Sequence, residues 1–408
     1  MDGTLYPKRD SRTPIVAYLS GPVDARKIHA DALASREPEY FGTSYLGQLL
    51  GLVRARGGQS VVVTTLPDLA YDEQIAGDRL VNIAPSMSLG GVRYHLAMLA
   101  WSVRTLRLLW GERPDAVVLT ASQNYFFMFA PLRLRGTAII VSLHCTLWPK
   151  FGRVPRSWVW FRWLNARLIF RHAAAIQCVS ADIRDQVVAT VPEIAARVTV
   201  FRPTYDPRQF DGISPPDLGA RDPFRILFVG RVEANKGPFD LLAVAAKLCA
   251  TANMPRFRID FCGEGGDMER LRAAVVDLGL AERCFVHGVC DADRVRAFYS
   301  QSHIVVVPTR SDFEEGYNKV CAEAILAGRP VVTSAACPAL ADISAAAVEV
   351  CVDDIDSYVG AILCLATDEA LYLEKAAAAR IARIQYFDTS ASYAAHLEAA
   401  LLRFGILD

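Results

Sequence analysis

Short runs of consecutive apolar residues, rich in valine and isoleucine, recur along the chain. Each is closed by glycine, proline or a polar loop, and most are followed by a stretch of helical period. In the first half these runs predict strands at 15–20, 60–65, 116–120, 138–143 and 175–179, with helices at 45–56, 94–110 and 181–189. A polar loop is expected after the first strand, as far as Glu39, and a leader without order over 1–13. The stretch 203–223, rich in proline, aspartate and glycine, reads as a linker. A second series then predicts strands at 224–229, 257–262, 284–288, 304–307 and 330–333, with helices at 239–250, 268–278, 295–300 and 318–327. From about 353 the pattern is helical, with a break near Phe387-Asp388 and an amphipathic stretch at 393–404. Strands that are apolar throughout, alternating with helices, predict an α/β architecture of parallel sheets covered on both faces. No repeat of solenoid period is present.

At 408 residues the chain exceeds one ordinary core, so this pattern divides into two domains. Hydrophobic residues make up 52% and charged residues 22%, which leaves ample material for burial. Net charge is zero but unevenly spread. Residues 1–205 hold 24 Lys/Arg against 15 Asp/Glu; from totals of 44 and 44 this leaves 20 against 29 in 206–408. A basic first half suits an anionic partner or surface. The ten cysteines form no Cys-x-x-Cys, the N-terminus has no apolar signal core, and no run reaches the roughly 18 apolar residues of a membrane span. These features predict a cytoplasmic protein with reduced cysteines.

Candidate chemistry gathers at the ends of the predicted strands. After the strand at 304–307, Pro308 and a polar loop lead to a helix at 318–327 that Gly328 stops. Glu315 precedes that helix and Glu323 lies eight residues on, about 12 Å away at helical rise, a spacing that suits one elongated ligand with hydroxyls at both ends. The amides of Gly316, Tyr317 and Asn318 at the helix N-terminus can meet negative charge between them. The strand at 224–229 runs into Gly230-Arg231, with Lys236 in the turn that follows. A forked guanidinium and a point ammonium there can converge on a diphosphate; the plain alternative is a solvated turn. Gly263-x-Gly265 leaves room for a base or ribose close to the backbone, but fails as a dinucleotide fingerprint because Met268 holds the last position. Gly288 ends a further strand. Gly42-Thr43-Ser44 opens the helix at 45–56, either as a ligand-facing glycine loop or as a plain cap. His144 stands at the carboxyl end of 138–143, on the rim where α/β sheets bind ligands; taken alone it reads as an ordinary loop histidine. Asp291-x-Asp293 and Asp354-x-Asp356 look like metal-binding pairs but read as helix caps, and no metal site is expected.

Residues 148–172 hold four of the six tryptophans and six Lys/Arg, with no acid. Such interleaving fits a helix lying on an anionic bilayer; the alternative is an ordinary helix packed on the sheet with arginines at its solvent edge. No recognised module points to nucleic acid, which is not expected as a partner.

Four stretches resemble the GT-B glycosyltransferases of the family 4 type: FVGRVEANKGPFDLL (228–242), IDFCGEGGDMERLR (259–272), FVHGV (285–289) and EEGYNKVCAEAILAGRPVV (314–332). The last fits that family's E-x7-E pattern, with Glu315 and Glu323 as the pair. The resemblance implies two Rossmann-like domains facing across a cleft. An acceptor-binding domain would span 14–205, a donor-binding domain 206–387, and the C-terminal helix would cross back so that 388–408 pack on the first. It also implies retaining, hexosyltransferase-type transfer from a UDP-, GDP-, ADP- or dTDP-linked sugar, without a cofactor or an obligatory metal. By the same resemblance Arg231 and Lys236 bind the diphosphate, Glu323 the ribose hydroxyls and Glu315 the transferred sugar, with the amides of Gly316 to Asn318 in support. Gly230, Gly263 and Gly288 fall beside the donor, Gly42 matches the N-domain glycine loop, and His144 matches the histidine beside the sugar. Three departures stand out: Phe41 replaces a second glycine and Cys145 follows His144 where an acid is usual, both of which bear on acceptor and sugar choice, and Arg202-Pro203-Thr204 replaces Asn-Gly-Val. The acceptor is expected to be a sugar, a small molecule or a lipid-linked polysaccharide or glycolipid precursor, met peripherally at the inner face of the plasma membrane through 148–172. Two rivals remain: a nucleotide-sugar 2-epimerase of the same fold, and a non-catalytic membrane-associated binding protein. An NAD-dependent dehydrogenase fits least, for want of a glycine fingerprint after the first strand.

Overall fold

The computed structural model describes residues 12–34, 43–85, 90–120, 123–152, 156–213 and 223–407. β1 (Ile15–Leu19), β2 (Gln59–Thr64), β3 (Tyr71–Ile75), β4 (Asp78–Asn82), β5 (Ala116–Leu119), β6 (Ala138–Leu143), β7 (Ala175–Cys178) and β8 (Val198–Val200) form one sheet in the order β3-β4-β2-β1-β5-β6-β7-β8. Its pairs are parallel except β3 with β4. Around it lie α1 (Ala25–Ala34), α2 (Tyr45–Ala55), α3 (Gly91–Glu112), α4 (Arg156–Leu168) and α5 (Ala181–Thr190). β5 and β6 are buried at every residue, as the unbroken apolar runs require of strands covered on both faces.

The second sheet is wholly parallel, in the order β11-β10-β9-β12-β13-β14. Its strands are β9 (Phe224–Val229), β10 (Phe257–Cys262), β11 (Cys284–Gly288), β12 (Ile304–Val307), β13 (Val331–Ser334) and β14 (Ala347–Val350). α6 (Pro238–Cys249), α7 (Met268–Asp277), α8 (Ala292–Gln301), α9 (Lys319–Leu326) and α10 (Leu340–Ile343) connect them, and α11 (Ile355–Thr367), α12 (Glu369–Ala382) and α13 (Tyr393–Arg403) follow. In this sheet the strand order reverses at β9, which lies between β10 and β12. The loops leaving β9 and β12 therefore diverge to opposite faces and open a crevice at the carboxyl edge. Those loops carry Arg231 and Lys236, and Glu315.

The chain passes between the lobes twice, and the two passages lie side by side. Arg202 N donates to Ala391 O at 2.8 Å, and Tyr205 N to Tyr386 O at 3.0 Å. α13 then packs on α2, where Glu398 meets Arg56 at 2.5 Å and Gln48 Oε1 accepts from Ala394 N at 3.1 Å.

Several elements differ from the sequence expectation. The polar stretch after β1 contains α1, held by its buried His29 against Asp78 at 2.9 Å. β3 and β4 form a hairpin turned by Ala76 and Gly77, both at positive φ. A 3-10 run, Gln123–Arg135, follows β5, and β8 and β14 extend the two sheets at one edge each. The expected linker is partly core, because Tyr205 and Phe210 are bulky aromatics that bury. Asp291 and Asp354 are helix caps: they accept from Arg294 N and Asp356 N.

Gly263 sits at φ +140°, and a Cβ there would lie 1.8 Å from Gly230 O. Gly263→Ala is therefore expected to destabilise the protein by about 2–4 kcal/mol through strain and backbone displacement, read as a lower Tm in thermal unfolding.

Candidate active site

α9 is buried nearly all round, with Cys321 through Leu326 inside. Only its N-terminus and the carboxylate of Glu323 face the crevice. Asn318 caps it from φ 40°, a left-handed conformation that asparagine tolerates better than most residues. Its Oδ1 accepts from Val320 N, while its Nδ2 donates to Glu315 Oε2 at 3.1 Å and to Thr309 Oγ1 at 3.3 Å. The cap thus also fixes a loop carboxylate. Lys236 Nζ approaches the same oxygen of Glu315 at 2.5 Å and stands 3.7 Å from the centre of the Phe313 ring. Both partners of this ion pair are largely removed from water.

Glu323 is 6% exposed, and both its oxygens are engaged: Oε1 by Tyr205 OH at 3.3 Å and Oε2 by Tyr299 OH at 3.1 Å. A carboxylate has about four lone-pair sites, so room remains for a diol. Burial pushes its pKa up; Lys319 and the two tyrosine hydroxyls pull it back. Tyr299 is held in turn by Arg329, whose Nε donates to Tyr299 O at 2.7 Å and Nη2 to Ser300 O at 3.1 Å.

These groups share one cavity of about 350 Å³. It is lined by Gly230, Arg231, Lys236, Glu315, Asn318, Lys319 and Glu323 from the second lobe, and by Tyr45, His144 and Val179 from the first. A second cavity of about 490 Å³, beside Cys262, Gly263, Glu264, Val289 and Cys290, shares Val229, Gly230, Arg231, Lys319 and Glu323 with it. The two adjoin along these shared residues, where β9 ends at the switch of strand order.

His144 closes the first-lobe wall. Its ring packs on Tyr45 at 4.7 Å, Phe201 at 5.6 Å and Tyr393 at 6.1 Å, and Nε2 meets Ser142 Oγ at 2.9 Å. Enclosure by these rings, with Lys319 nearby, lowers its pKa from 6.5 to about 4, so it is neutral at physiological pH. Between pH 6.5 and 4 the unfolded chain binds a proton that the folded one does not, so stability falls as pH drops through that window; above it His144 contributes nothing. The loss is at most about 3 kcal/mol, and His144→Asn is expected to flatten that segment of a Tm-versus-pH curve.

Four expected site residues differ in placement. Arg231 lines both cavities, but its Nη1 is engaged by Glu233 at 2.8 Å on an exposed edge. Tyr317 lines the first cavity, but its hydroxyl turns to Asp342 (3.0 Å) and Tyr386 (2.8 Å), beside the passage between lobes. Gly316 lines neither cavity; its Cα faces the first lobe, and a Cβ would meet His144 O at 1.8 Å. Gly288 lines neither as well, its carbonyl accepting from Gly263 N. Gly42 and Phe41 lie outside the described residues. Lys319, which the sequence reading passed over, lines both cavities and donates from Nζ to Thr43 O at 3.2 Å across the lobes. Its place at the first turn of α9 was the available signal. Tyr205 and Tyr299, remote in sequence, carried none. Among the described residues no three His, Cys, Asp or Glu side chains gather as a metal site.

Two parallel α/β lobes with a crevice between their carboxyl edges define the GT-B fold. It is matched by Anabaena Alr3699/HepE solved with UDP and glucose (TM-score 0.66, 16% identity, 95% of this chain and 99% of that one). Sucrose-phosphate synthase from Thermosynechococcus elongatus matches likewise (TM-score 0.66, 16% identity, 96% and 97%). Family models for "Glycosyl transferase 4-like domain" and "Glycosyl transferases group 1" match residues 42–204 and 213–382. The chain belongs to the GT-B glycosyltransferases of the family 4 type. It is 28% identical over 253 residues to 2-deoxystreptamine N-acetyl-D-glucosaminyltransferase of Streptomyces fradiae, covering 58% of either chain. It is 29% identical over 222 residues to D-inositol 3-phosphate glycosyltransferase 1 of Catenulispora acidiphila, covering 50% of this chain and 51% of that one. The chain thus spans just over half the length of these relatives.

Proposed function

We propose that the protein transfers a sugar from a nucleoside-diphosphate sugar to an acceptor hydroxyl, with retention at the anomeric carbon. The observation that carries this reading is one cavity lined together by Arg231, Lys236, Glu315, Lys319 and Glu323. In it the diphosphate meets Arg231, Lys236 and the α9 N-terminus, and the sugar lies towards Glu315 and neutral His144. Glu323 takes the ribose hydroxyls, and the base extends into the cavity beside Gly263. Arg231 would exchange Glu233 for phosphate.

Cations and helix amides fixed before the donor arrives stabilise a departing diphosphate at little reorganisation cost, a contribution of several kcal/mol. Retention is supported by the occupancy of the two acids in the first cavity. Glu315 is tied to Lys236 and Asn318, and Glu323 to two tyrosines, so neither is a free nucleophile. In a front-face displacement the bond from the anomeric carbon to phosphate oxygen breaks with its electron pair leaving on the diphosphate. The acceptor oxygen bonds to the same face, and its proton passes to the departing phosphate oxygen. No cofactor enters this scheme.

The acceptor is a ring bearing several hydroxyls, free or carried on a lipid. Support comes from the relatives named for 2-deoxystreptamine and D-inositol 3-phosphate, both hydroxylated cyclohexanes, and from the basic first half of the chain. A thermal-shift screen with UDP, GDP, ADP and dTDP tests the donor site: one of them is expected to raise Tm, and failure of all four overturns the reading. Incubation with the matching nucleotide-sugar alone separates transferase from epimerase, since only an epimerase accumulates an isomer.

A further inference from the structure

Helix α4 carries much of its apolar surface on the outside. Val159, Trp160 and Trp163 are 52%, 70% and 52% exposed, and exposed Arg167 follows one turn on, its guanidinium 5.9 Å from the Trp163 ring centre. At helical period these four fall on one stripe. The two indole rings meet edge to face at 6.2 Å, so they form a single ridge. The opposite side of α4 accounts for its packing: Phe161 lies 5.2 Å from Tyr125 and 6.2 Å from Phe127, and Asn165 Oδ1 accepts from Phe127 N at 2.8 Å. The outward tryptophans therefore add nothing to the core, and leaving two of them in water is a cost without a structural return.

The stretch of chain that carries the ridge is strongly basic. Residues 90–172 contain 12 Lys/Arg and two acids, Glu112 and Asp115, which pair with Arg79 and Arg12 from outside the segment. Lys150 and Arg171 meet Asp182 and Glu193, while Arg167 stands beside the ridge. Leu134, 85% exposed, closes the 3-10 run on which α4 packs. Exposed indoles with an arginine beside them match the headgroup region of an anionic bilayer: the ring fills the boundary while the guanidinium meets lipid phosphate. Among the described residues no helix is long and apolar enough to cross a membrane, so the contact is superficial.

We propose that the Val159–Trp160–Trp163–Arg167 ridge docks the protein on an anionic lipid surface. This deepens the transferase reading. β6 ends beside His144 in the crevice and the chain then leads to α4, so docking through α4 holds the first-lobe rim against the membrane, where a lipid-borne acceptor hydroxyl is presented.

The full-length protein is tested by co-sedimentation with phosphatidylcholine–phosphatidylglycerol vesicles, against phosphatidylcholine alone. The parent is expected to pellet with the anionic vesicles, to show a blue shift in tryptophan emission, and to be released by raised salt. Trp160→Ala/Trp163→Ala should lower the partition coefficient at least about tenfold, and Arg167→Gln about threefold. Both variants should keep the parent's Tm and its nucleotide-induced thermal shift. A parent that stays in the supernatant with both vesicles, or a double variant that binds as the parent does, overturns the proposal. So does light scattering in which the parent is a dimer and the double variant a monomer, which would make the ridge a contact between copies. Vesicle binding without any nucleotide-induced shift would leave the docking face intact and remove the transferase reading alone.

Discussion

Lys236→Ala is expected to lower the turnover number about a hundred- to a thousandfold, while the dissociation constant for acceptor changes by less than about threefold. The ammonium sits against Glu315 in a site where little water competes, so its field acts at low effective dielectric. That field favours the leaving diphosphate, whose charge grows as the bond to the sugar stretches. The acceptor gains no charge until the proton moves, so its binding is insensitive to the loss. A complication is that the single variant strands Glu315 beside Asn318 alone, which itself destabilises the loop. Lys236→Ala/Glu315→Gln removes that stranded charge. A Tm restored in the double variant, with turnover well below that of Glu315→Gln alone, assigns the effect to catalysis; a double variant that turns over as Glu315→Gln does would take Lys236 out of the chemistry. Steady-state kinetics with a coupled assay for released nucleoside diphosphate reads both.

The second large effect is expected at a residue that lines neither cavity. A methyl group on Gly316 would lie 1.8 Å from His144 O and 2.6 Å from His144 C, both backbone atoms of the opposite lobe. Neither can yield by turning a side chain, so Gly316→Ala must push the His144 loop and the Glu315 loop apart. A misplacement near 1 Å between reacting groups costs on the order of a hundredfold in rate, so kcat/KM is expected to fall at least that far. Nucleotide affinity should change little, because Arg231, Gly263 and Glu323 all belong to the second lobe. Isothermal titration with the nucleoside diphosphate, beside the rate assay, tests the split; equal losses in both would mean the wedge distorts α9 itself.

Much of the fold could be read from the chain, because its strands are buried on both faces and so appear as unbroken runs such as 138–143 and 304–307. What escaped was structure that depends on a partner. β8 and β14 are short edge strands of three and four residues, too brief to stand out without the neighbour they pair with. The 3-10 run at Gln123–Arg135 has no period that a helical template detects. The site followed the same rule. Arg231, Lys236 and Glu315 lie in loops that leave strand ends, and Glu323 in the helix that follows; a strand end in a parallel sheet announces a crevice. The tyrosines that hold Glu323 come from the passage between lobes and from α8, and nothing local to Tyr205 or Tyr299 marks them as its partners. Nor does the place of Tyr317 at the helix start announce that its hydroxyl leaves for Asp342 and Tyr386.

Tyr205 has one further consequence. It lies on a segment joining the two halves of the molecule, where its amide holds Tyr386 and its hydroxyl touches Glu323. A swing of either half about this joint must drag the hydroxyl across that carboxylate. The pivot and the grip are thus geared through one phenol ring, and a guest seated against Glu323 stiffens the joint it rides on.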